Sequence, residues 1–317
     1  MALVHLTTTS EKSSWNPHSL DNFNRVMRAA QYRRSDFHKI TDSPSEADII
    51  LFIDFRRYYH SDTINSDIYK KYSNKCLVVD FQDVTIPKIP GIYLTIPSYL
   101  HQYPIYEYGF YFCVFDDWVL TERAEFSSCK YLFSFIGNSN TCPKLRQKVL
   151  NLNHPHSYLR DASIEYIDYK IYADVLNLSK FVLCPRGIGV SSYRVFETMR
   201  QGRVPVIISD DWIPPVGTNW NEFSVIVPEG DVNSIPARLE EIEIRAEEMG
   251  HKALEYWQAN FALETSFDCL VEAALRIQSL RSNYQHIIDR NIWFESFKRE
   301  HFSKFLKEFI RNKLCKF

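Results

Sequence analysis

The stretch FVLCPRGIGVSSYRVFETMRQGRVPVII, residues 181–208, combines basic, hydroxyl and acidic side chains around two glycines. The apolar runs at its two ends are typical of buried strands. Gly187 and Gly189 allow a tight turn between them. A helix is expected to begin at Ser191 or Ser192, whose hydroxyl can cap it. Because a helix N-terminus offers free amide groups and a partial positive charge, the pattern favours a phosphate site.

Two arginines and a glutamate extend this pattern. Arg186 precedes the turn, and Arg194 lies in the first helical turn, where a cation opposes the helix dipole. A bound anion would remove that conflict. Glu197 follows on the same face and can accept hydrogen bonds from ribose hydroxyls, so the three side chains indicate a nucleotide site. An ordinary surface ion pair between Arg194 and Glu197 is the alternative, and the spacing alone does not decide.

The elements around this stretch predict an α/β fold. Apolar runs that resemble buried strands alternate with segments of helical periodicity, and the pattern restarts near residue 130. We therefore expect two Rossmann-like domains that face each other across a cleft, where parallel strands end and ligands bind. The predicted strands include 47–55, 76–83, 91–96, 108–115, 131–137, 181–185 and 204–208. The predicted domains are 1–129 and 130–265, with C-terminal helices at 266–317 that pack back on the first domain.

Composition excludes some classes of function. The 317 residues carry a net charge of -2, so no basic field favours nucleic acid as a partner. The seven cysteines form no C-x-x-C pair, which is typical of reduced thiols. The N-terminal sequence has no long apolar run, so we expect neither a signal peptide nor a membrane anchor, and a cytoplasmic location.

Metal ligands are poorly supported by the sequence. Asp210 and Asp211 are adjacent, and successive side chains diverge in direction. His154 and His156 flank a proline without further ligands nearby. We therefore expect no metal site.

The last 28 residues, 290–317, have a different character. Residues 298–317 carry seven Lys or Arg against two Glu, and five apolar side chains share one helical face. Such a helix either lies on an anionic membrane as a peripheral contact or docks on the first domain. We expect docking.

Several motifs resemble those of the exostosin-like glycosyltransferases. SKFVLCPRG, S-x-R-x-x-E, G-x-VPVIISD and W-x-PP resemble the C-terminal half of that family, while SPSEADIILF, PGIY and FSFIGN resemble its N-terminal half. The resemblance covers roughly residues 45–275. Tyr193 and Arg203 depart from it, since many relatives carry proline and cysteine at these positions.

The resemblance implies a fold of the GT-B type and an inverting hexosyl- or pentosyltransferase of polysaccharide biosynthesis. The donor would be a nucleoside-diphosphate sugar, with UDP favoured, and the acceptor a glycan, a lipid-linked glycan or another hydroxyl compound. No metal and no cofactor besides this donor substrate would be needed. Alternatives are a non-catalytic sugar-nucleotide or glycan-binding protein, or a fucosyltransferase-like enzyme that uses a GDP-sugar.

The resemblance also assigns roles to individual residues. Glu197 would meet the ribose. The other donor-binding candidates, at the diphosphate or along the same cleft, are Arg186, Gly187, Ser191, Ser192, Arg194, Asp210 and Asp211. The first domain would supply the base that deprotonates the acceptor hydroxyl, because its strand ends carry acidic and imidazole groups. The candidates for this base are Asp54, Asp83 and His60, with Asp80 as a fourth, and each could equally be a turn or capping residue.

Overall fold

The computed structural model describes residues 1–9, 18–33, 37–54, 60–83, 87, 89–98, 105–112 and 122–296. The chain forms two units: Met1–Gly109 together with the residues from Phe267 onward, and Phe110–Ser266. We call them the first and the second unit. The predicted boundary at 129/130 falls about twenty residues later than this division, because Phe110 already packs on Phe196 and Phe261 of the second unit. The apolar face predicted in the tail lies outside the described residues.

The first unit is built on a parallel sheet of six strands in the order β2-β1-β3-β4-β5-β6. Its three central strands, Ile49–Asp54, Cys76–Asp80 and Gly91–Tyr93, are mostly apolar, and their described side chains are buried, as expected where both faces of a parallel sheet are covered. The strands are β1 (Leu3–Thr7), β2 (Lys39–Ile40), β3 (Ile49–Asp54), β4 (Cys76–Asp80), β5 (Gly91–Tyr93) and β6 (Tyr106–Tyr108). The helices are α1 (His18–Tyr32), α2 (Ser61–Asn65) and α3 (Asp67–Tyr72).

The second unit has a parallel sheet of five strands in the order β11-β10-β9-β7-β8. The strands are β7 (Tyr131–Gly137), β8 (Ser157–Asp161), β9 (Ser179–Pro185), β10 (Val204–Ile208) and β11 (Val225–Val227). The helices are α4 (Pro143–Leu150), α5 (Tyr169–Asn177), α6 (Tyr193–Arg200), α7 (Ile235–Ile242) and α8 (Ala246–Asn260). Both units are therefore Rossmann-like, which confirms the predicted GT-B type of fold at the level of its two α/β units.

A long final helix, α9 (Ser266–Ser296), packs on the first unit. Arg276 makes a two-pronged ion pair with Glu107 of β6, and Glu272 lies 2.9 Å from the buried ring of His38. Arg281 donates to the carbonyl of Cys76 on β4 at 2.8 Å. These contacts join the C-terminal helix to three separate parts of the first unit.

Two of the predicted strands differ from the structure in their described residues. Of the described residues in and near the predicted strands 91–96 and 108–115, only Gly91–Tyr93 and Tyr106–Tyr108 pair in the sheet. In the described part of 108–115, Phe110 and Phe112 instead form a buried aromatic contact, with ring centres 4.5 Å apart. The apolar run there reflects packing by aromatic side chains rather than strand pairing.

Helix α6 is fixed by glycines at its end. It ends at Arg200, and Gly202 has the left-handed φ of 66° that a helix C-terminus often needs. Gly250 of α8 packs directly against it, and a Cβ at Gly250 would lie only 2.4 Å from the Gly202 oxygen. This close approach of α8 sets the position of α6 on the sheet.

Candidate functional site

The second sheet reverses its strand order between β7 and β9. From β7 the chain moves outward to β8 and then back to β9 on the other side. In open parallel sheets, ligands bind outside the carboxyl ends of the strands at such a reversal. β7 ends at Gly137 and β9 at Pro185, so the stretch Arg186–Ser192 leaves the sheet at this point.

Arg194 is buried beside the end of β7. Its side chain Nη2 donates to the carbonyl oxygen of Ile136 at 2.6 Å, and the guanidinium carbon lies 4.9 Å from the ring centre of Phe135. Its Nε is buried without a hydrogen-bond partner. Only 3% of the residue is exposed, so replacing Arg194 would also remove a buried hydrogen bond from the fold.

The positive charge of Arg194 is not neutralised by a direct ion pair. No salt bridge links it to Glu197 or to another carboxylate within the described residues. Burial by itself lowers the pKa of this guanidinium, but the nearby Tyr172, Tyr193 and Glu197 contribute to raising it above its ordinary value, and the group stays protonated. The alternative of a surface ion pair between Arg194 and Glu197 is thus excluded.

Glu197 is also buried, with 1% of the residue exposed. The hydroxyl of Tyr172 donates to its Oε2 at 2.6 Å. Burial raises the pKa of Glu197 to about 7, against the opposing effects of the Tyr172 hydrogen bond and the Arg194 charge. The predicted contact of Glu197 with a ribose stays a prediction, and in this structure its carboxylate faces Tyr172.

A third arginine, Arg146 of α4, also lies in this region, and no sequence pattern had indicated it. Its guanidinium donates to three main-chain oxygens: Asn138 at 2.8 Å, Arg186 at 3.0 Å and Pro185 at 3.2 Å. Burial, with the charge of Arg194 nearby, lowers the pKa of Arg146 to about 10. No carboxylate pairs with it in the part of the chain that the structure describes.

Arg186 is half-buried and is paired with Glu229, which follows β11. Its Nε lies 2.5 Å from one carboxylate oxygen and its Nη2 3.3 Å from the other. Asp210, after β10, accepts a hydrogen bond from the Glu229 main-chain N–H at 2.8 Å. Arg186 and Asp210, both candidate donor-binding residues, thus each contact Glu229, which no sequence pattern had indicated.

The start of α6 agrees with the prediction, but its capping does not. Ser192 is the N-cap residue in extended conformation, and its hydroxyl accepts no hydrogen bond from the helix. Ser191 is buried beside it. A Cβ at Gly187 would lie 3.2 Å from Nη2 of Arg146, so this position favours glycine. Since the predicted hydroxyl cap is absent, the first amides of α6 have no side-chain cap at Ser192.

The base candidates of the first unit lie in different surroundings. Asp54 is the last residue of β3, and its side chain lies outside the described residues. Asp83 is exposed. His60 and Asp80 are both buried, with His60 Nε2 2.9 Å from Asp80 Oδ2, although the two are poorly aligned for a hydrogen bond.

The backbone of His60 is unusual. Its φ of 54° is left-handed, a conformation that costs energy outside glycine and is concentrated at functional sites. The ring meets Tyr93 edge-on at 5.9 Å, and Asp80 accepts a 2.7 Å hydrogen bond from the main-chain N–H of Gln82. The structure therefore holds an imidazole and a carboxylate together at the ends of β3 and β4.

Neither a metal-ligand cluster nor a membrane-spanning helix is present among the described residues. No group of three or more His, Cys, Asp or Glu side chains there could hold a metal ion. None of the described helices combines the length and the apolar character needed to cross a bilayer.

Part of the chain matches a known family model. Residues 94–242 match the family model of the exostosin GT47 domain. This part of the chain is similar to that domain. It includes Arg146, Arg186, Arg194 and Glu197, so the carboxyl ends of β7 and β9 lie within it.

Curated relatives match over short segments of this chain. The exostosin-1 homolog of Caenorhabditis elegans is 46% identical over 70 residues, which are 22% of this chain and 18% of that protein. A probable glycosyltransferase of Arabidopsis thaliana is 40% identical over 76 residues, 23% of this chain and 15% of that protein. Exostosin-2 of Bos taurus is 33% identical over 93 residues, which are 28% of this chain and 13% of that protein. The matches thus span less than a fifth of each relative's length.

Solved structures are more distantly similar. TarM aligns at a TM-score of 0.42 and 13% identity, over 75% of this chain and 55% of that one. MurG of Acinetobacter baumannii aligns at a TM-score of 0.40 and 10% identity, over 87% of this chain and 99% of that one. T4 phage BGT, solved with UDP and Mn²⁺, aligns at a TM-score of 0.38 and 10% identity, over 88% of this chain and 99% of that one. Similarity at this level does not identify a shared ligand.

Proposed function

We propose that the second unit binds the diphosphate of a nucleotide sugar at the carboxyl ends of β7 and β9. One observation carries this proposal. Arg146 and Arg194 are buried together at this reversal of strand order, and neither has a carboxylate partner among the described residues. Burying an unpaired cation is costly, and a bound anion offsets that cost.

Other features of the same edge support a diphosphate in particular. The amides at the start of α6 lack the predicted serine cap and favour an anion. Arg186 lies at the rim, half-buried and held by Glu229. A buried cluster with a half-buried third arginine suits a ligand that carries two linked phosphate groups.

The match of residues 94–242 to the exostosin GT47 domain supports a chemical role for this site, namely transfer of a sugar from the nucleotide. The acceptor oxygen attacks the anomeric carbon while the bond from that carbon to the diphosphate breaks, which inverts the anomeric centre. The electron pair of the broken bond stays on the diphosphate. Arg194, Arg186 and the start of α6 stabilise that charge without a metal ion, as a preorganised electrostatic effect. We propose UDP as the nucleotide and a glycan hydroxyl as the acceptor.

For the base we propose His60, with Asp80 as its partner. A general base needs an orienting group, and Asp80 Oδ2, 2.9 Å from His60 Nε2, is close enough to orient the imidazole once the two groups align. His60 takes the proton of the acceptor hydroxyl as the new bond forms. The strained backbone of His60 supports this assignment over the alternative candidate Asp83, which is exposed at the surface.

A donor panel tests this function. The purified chain is titrated with UDP, GDP and ADP by calorimetry, and it is then assayed for slow hydrolysis or transfer with the corresponding nucleotide sugars in EDTA. We expect UDP to bind best and turnover to continue in EDTA. Preference for GDP would favour the fucosyltransferase-like alternative. Binding without turnover would favour a non-catalytic binding protein. Activity that EDTA abolishes and Mn²⁺ or Mg²⁺ restores would contradict the metal-free mechanism.

A further inference from the structure

Arg146 has a set of contacts that differs from those of a surface arginine. All three of its hydrogen bonds go to main-chain oxygens, and they come from both sides of the reversal of strand order: Asn138 just after β7, and Pro185 and Arg186 at the end of β9. One guanidinium therefore joins the two segments that would surround a bound diphosphate. Its guanidinium carbon also lies 5.8 Å from the ring centre of Phe135, the ring that Arg194 contacts at 4.9 Å.

Packing alone does not require an arginine here. The residue is 7% exposed, and an apolar side chain of similar length would fill the space without burying a charge. What an apolar side chain cannot supply is the planar fork that reaches three carbonyl oxygens in fixed directions. The arginine is thus explained by the loop geometry that it imposes and by its charge.

The loop geometry in question is that of Gly187. A Cβ there would meet Arg146 Nη2 at 3.2 Å and Thr141 Oγ1 at 3.5 Å, so the main chain passes closely over the guanidinium. The carbonyl of Arg186, immediately before Gly187, is one of the three acceptors. Arg146 therefore sets the path by which the chain leaves β9 toward the start of α6.

We propose that Arg146 is a positioning residue for the diphosphate of the donor, an inference that rests on the function proposed above. It fixes the segment from Arg186 to Gly187 against the end of β7, and its positive charge adds to that of Arg194 at the same place. Arg146 itself keeps its three main-chain partners when the nucleotide binds.

The test compares Arg146→Met, which removes fork and charge, with Arg146→Lys, which keeps the charge alone. Each intact protein is titrated with UDP and with uridine by calorimetry. We expect Arg146→Met to weaken UDP binding about tenfold or more, the size of one charge-assisted interaction, and Arg146→Lys to lose less. Uridine, which lacks phosphate, should bind all three proteins equally. Arg238→Met is the matched control, because Arg238 also donates to a strand carbonyl of this unit but is exposed, and it should bind UDP normally.

A second measurement keeps the proposal testable if Arg146→Met is unstable. Amide hydrogen exchange of the nucleotide-free proteins should show faster exchange at residues 186–190 in both Arg146 variants than in the wild type, because both lose the fork. Equal UDP affinity and equal exchange in wild type and variants would overturn the inference. Equal losses for UDP and uridine would also overturn it, since they would indicate general damage. If the wild type itself does not bind UDP, GDP or ADP, the proposed function fails and this inference fails with it.

Discussion

Replacing Arg194 with methionine should weaken UDP binding by about ten- to a hundredfold, because charge-assisted hydrogen bonds to phosphate contribute about 1.5–3 kcal/mol each. The same change should also lower the free energy of unfolding by about 1–3 kcal/mol, because the Ile136 carbonyl loses its 2.6 Å donor. Affinity is measured by calorimetry and stability by urea denaturation. If Arg194 is a buried cation that binds the ligand, this one substitution should lower both the affinity for UDP and the free energy of unfolding.

Arg200 on the same helix provides the control. It lies in the last turn of α6, and its guanidinium carbon is 5.5 Å from the ring centre of Trp257. Arg200→Met removes a charge from α6 at the end remote from the proposed site. The affinity for UDP should therefore change less than twofold, because substitutions away from a site usually change free energies by less than about 0.5 kcal/mol. A folded Arg194→Met protein with unchanged UDP affinity would remove Arg194 from the site.

Replacing His60 with asparagine should lower the rate of sugar transfer by about 10²–10⁴-fold while UDP affinity stays the same, because a general base acts on the acceptor and not on the donor. Asparagine is chosen since it tolerates the left-handed backbone that His60 adopts. Asp80→Asn should reduce the rate as well, since Asp80 would orient the ring. Rates are measured with saturating donor.

His38 is the matched control for His60. It is a buried histidine of the same unit beside a carboxylate, Glu272, at 2.9 Å, and no role is proposed for it. His38→Gln should therefore keep the transfer rate even if it lowers stability. If His60→Asn and His38→Gln reduce the rate equally, or if His60→Asn retains full activity, His60 is not the base.

The sequence predicts the parts of the site that depend on local pattern. The apolar runs of β9 and β10 and the start of α6 at Ser192 follow from neighbouring residues, and the structure has them as expected. The strand β8, SYLRD, was not predicted, because it lies at the edge of the sheet and has no apolar run. Local pattern thus identifies buried strands better than edge strands.

The parts that the sequence did not predict depend on contacts between distant residues. Arg146 is identified by three carbonyls, two of them on residues 39 and 40 positions away, and carbonyls leave no signal in the sequence. Glu229 pairs with Arg186 across 43 positions. Glu197 shares its helix with Arg194, yet the sequence did not show that the fold buries both and directs the carboxylate to Tyr172.

Hydrogen exchange of the wild-type protein with and without saturating UDP tests the central claim most directly, because it shows where the diphosphate binds. The account predicts slower amide exchange on UDP binding at residues 186–194 and at the end of β7, residues 136–139, and no such change with uridine at the same concentration. Protection confined to another part of the chain, or UDP binding that leaves both segments unchanged, would contradict it.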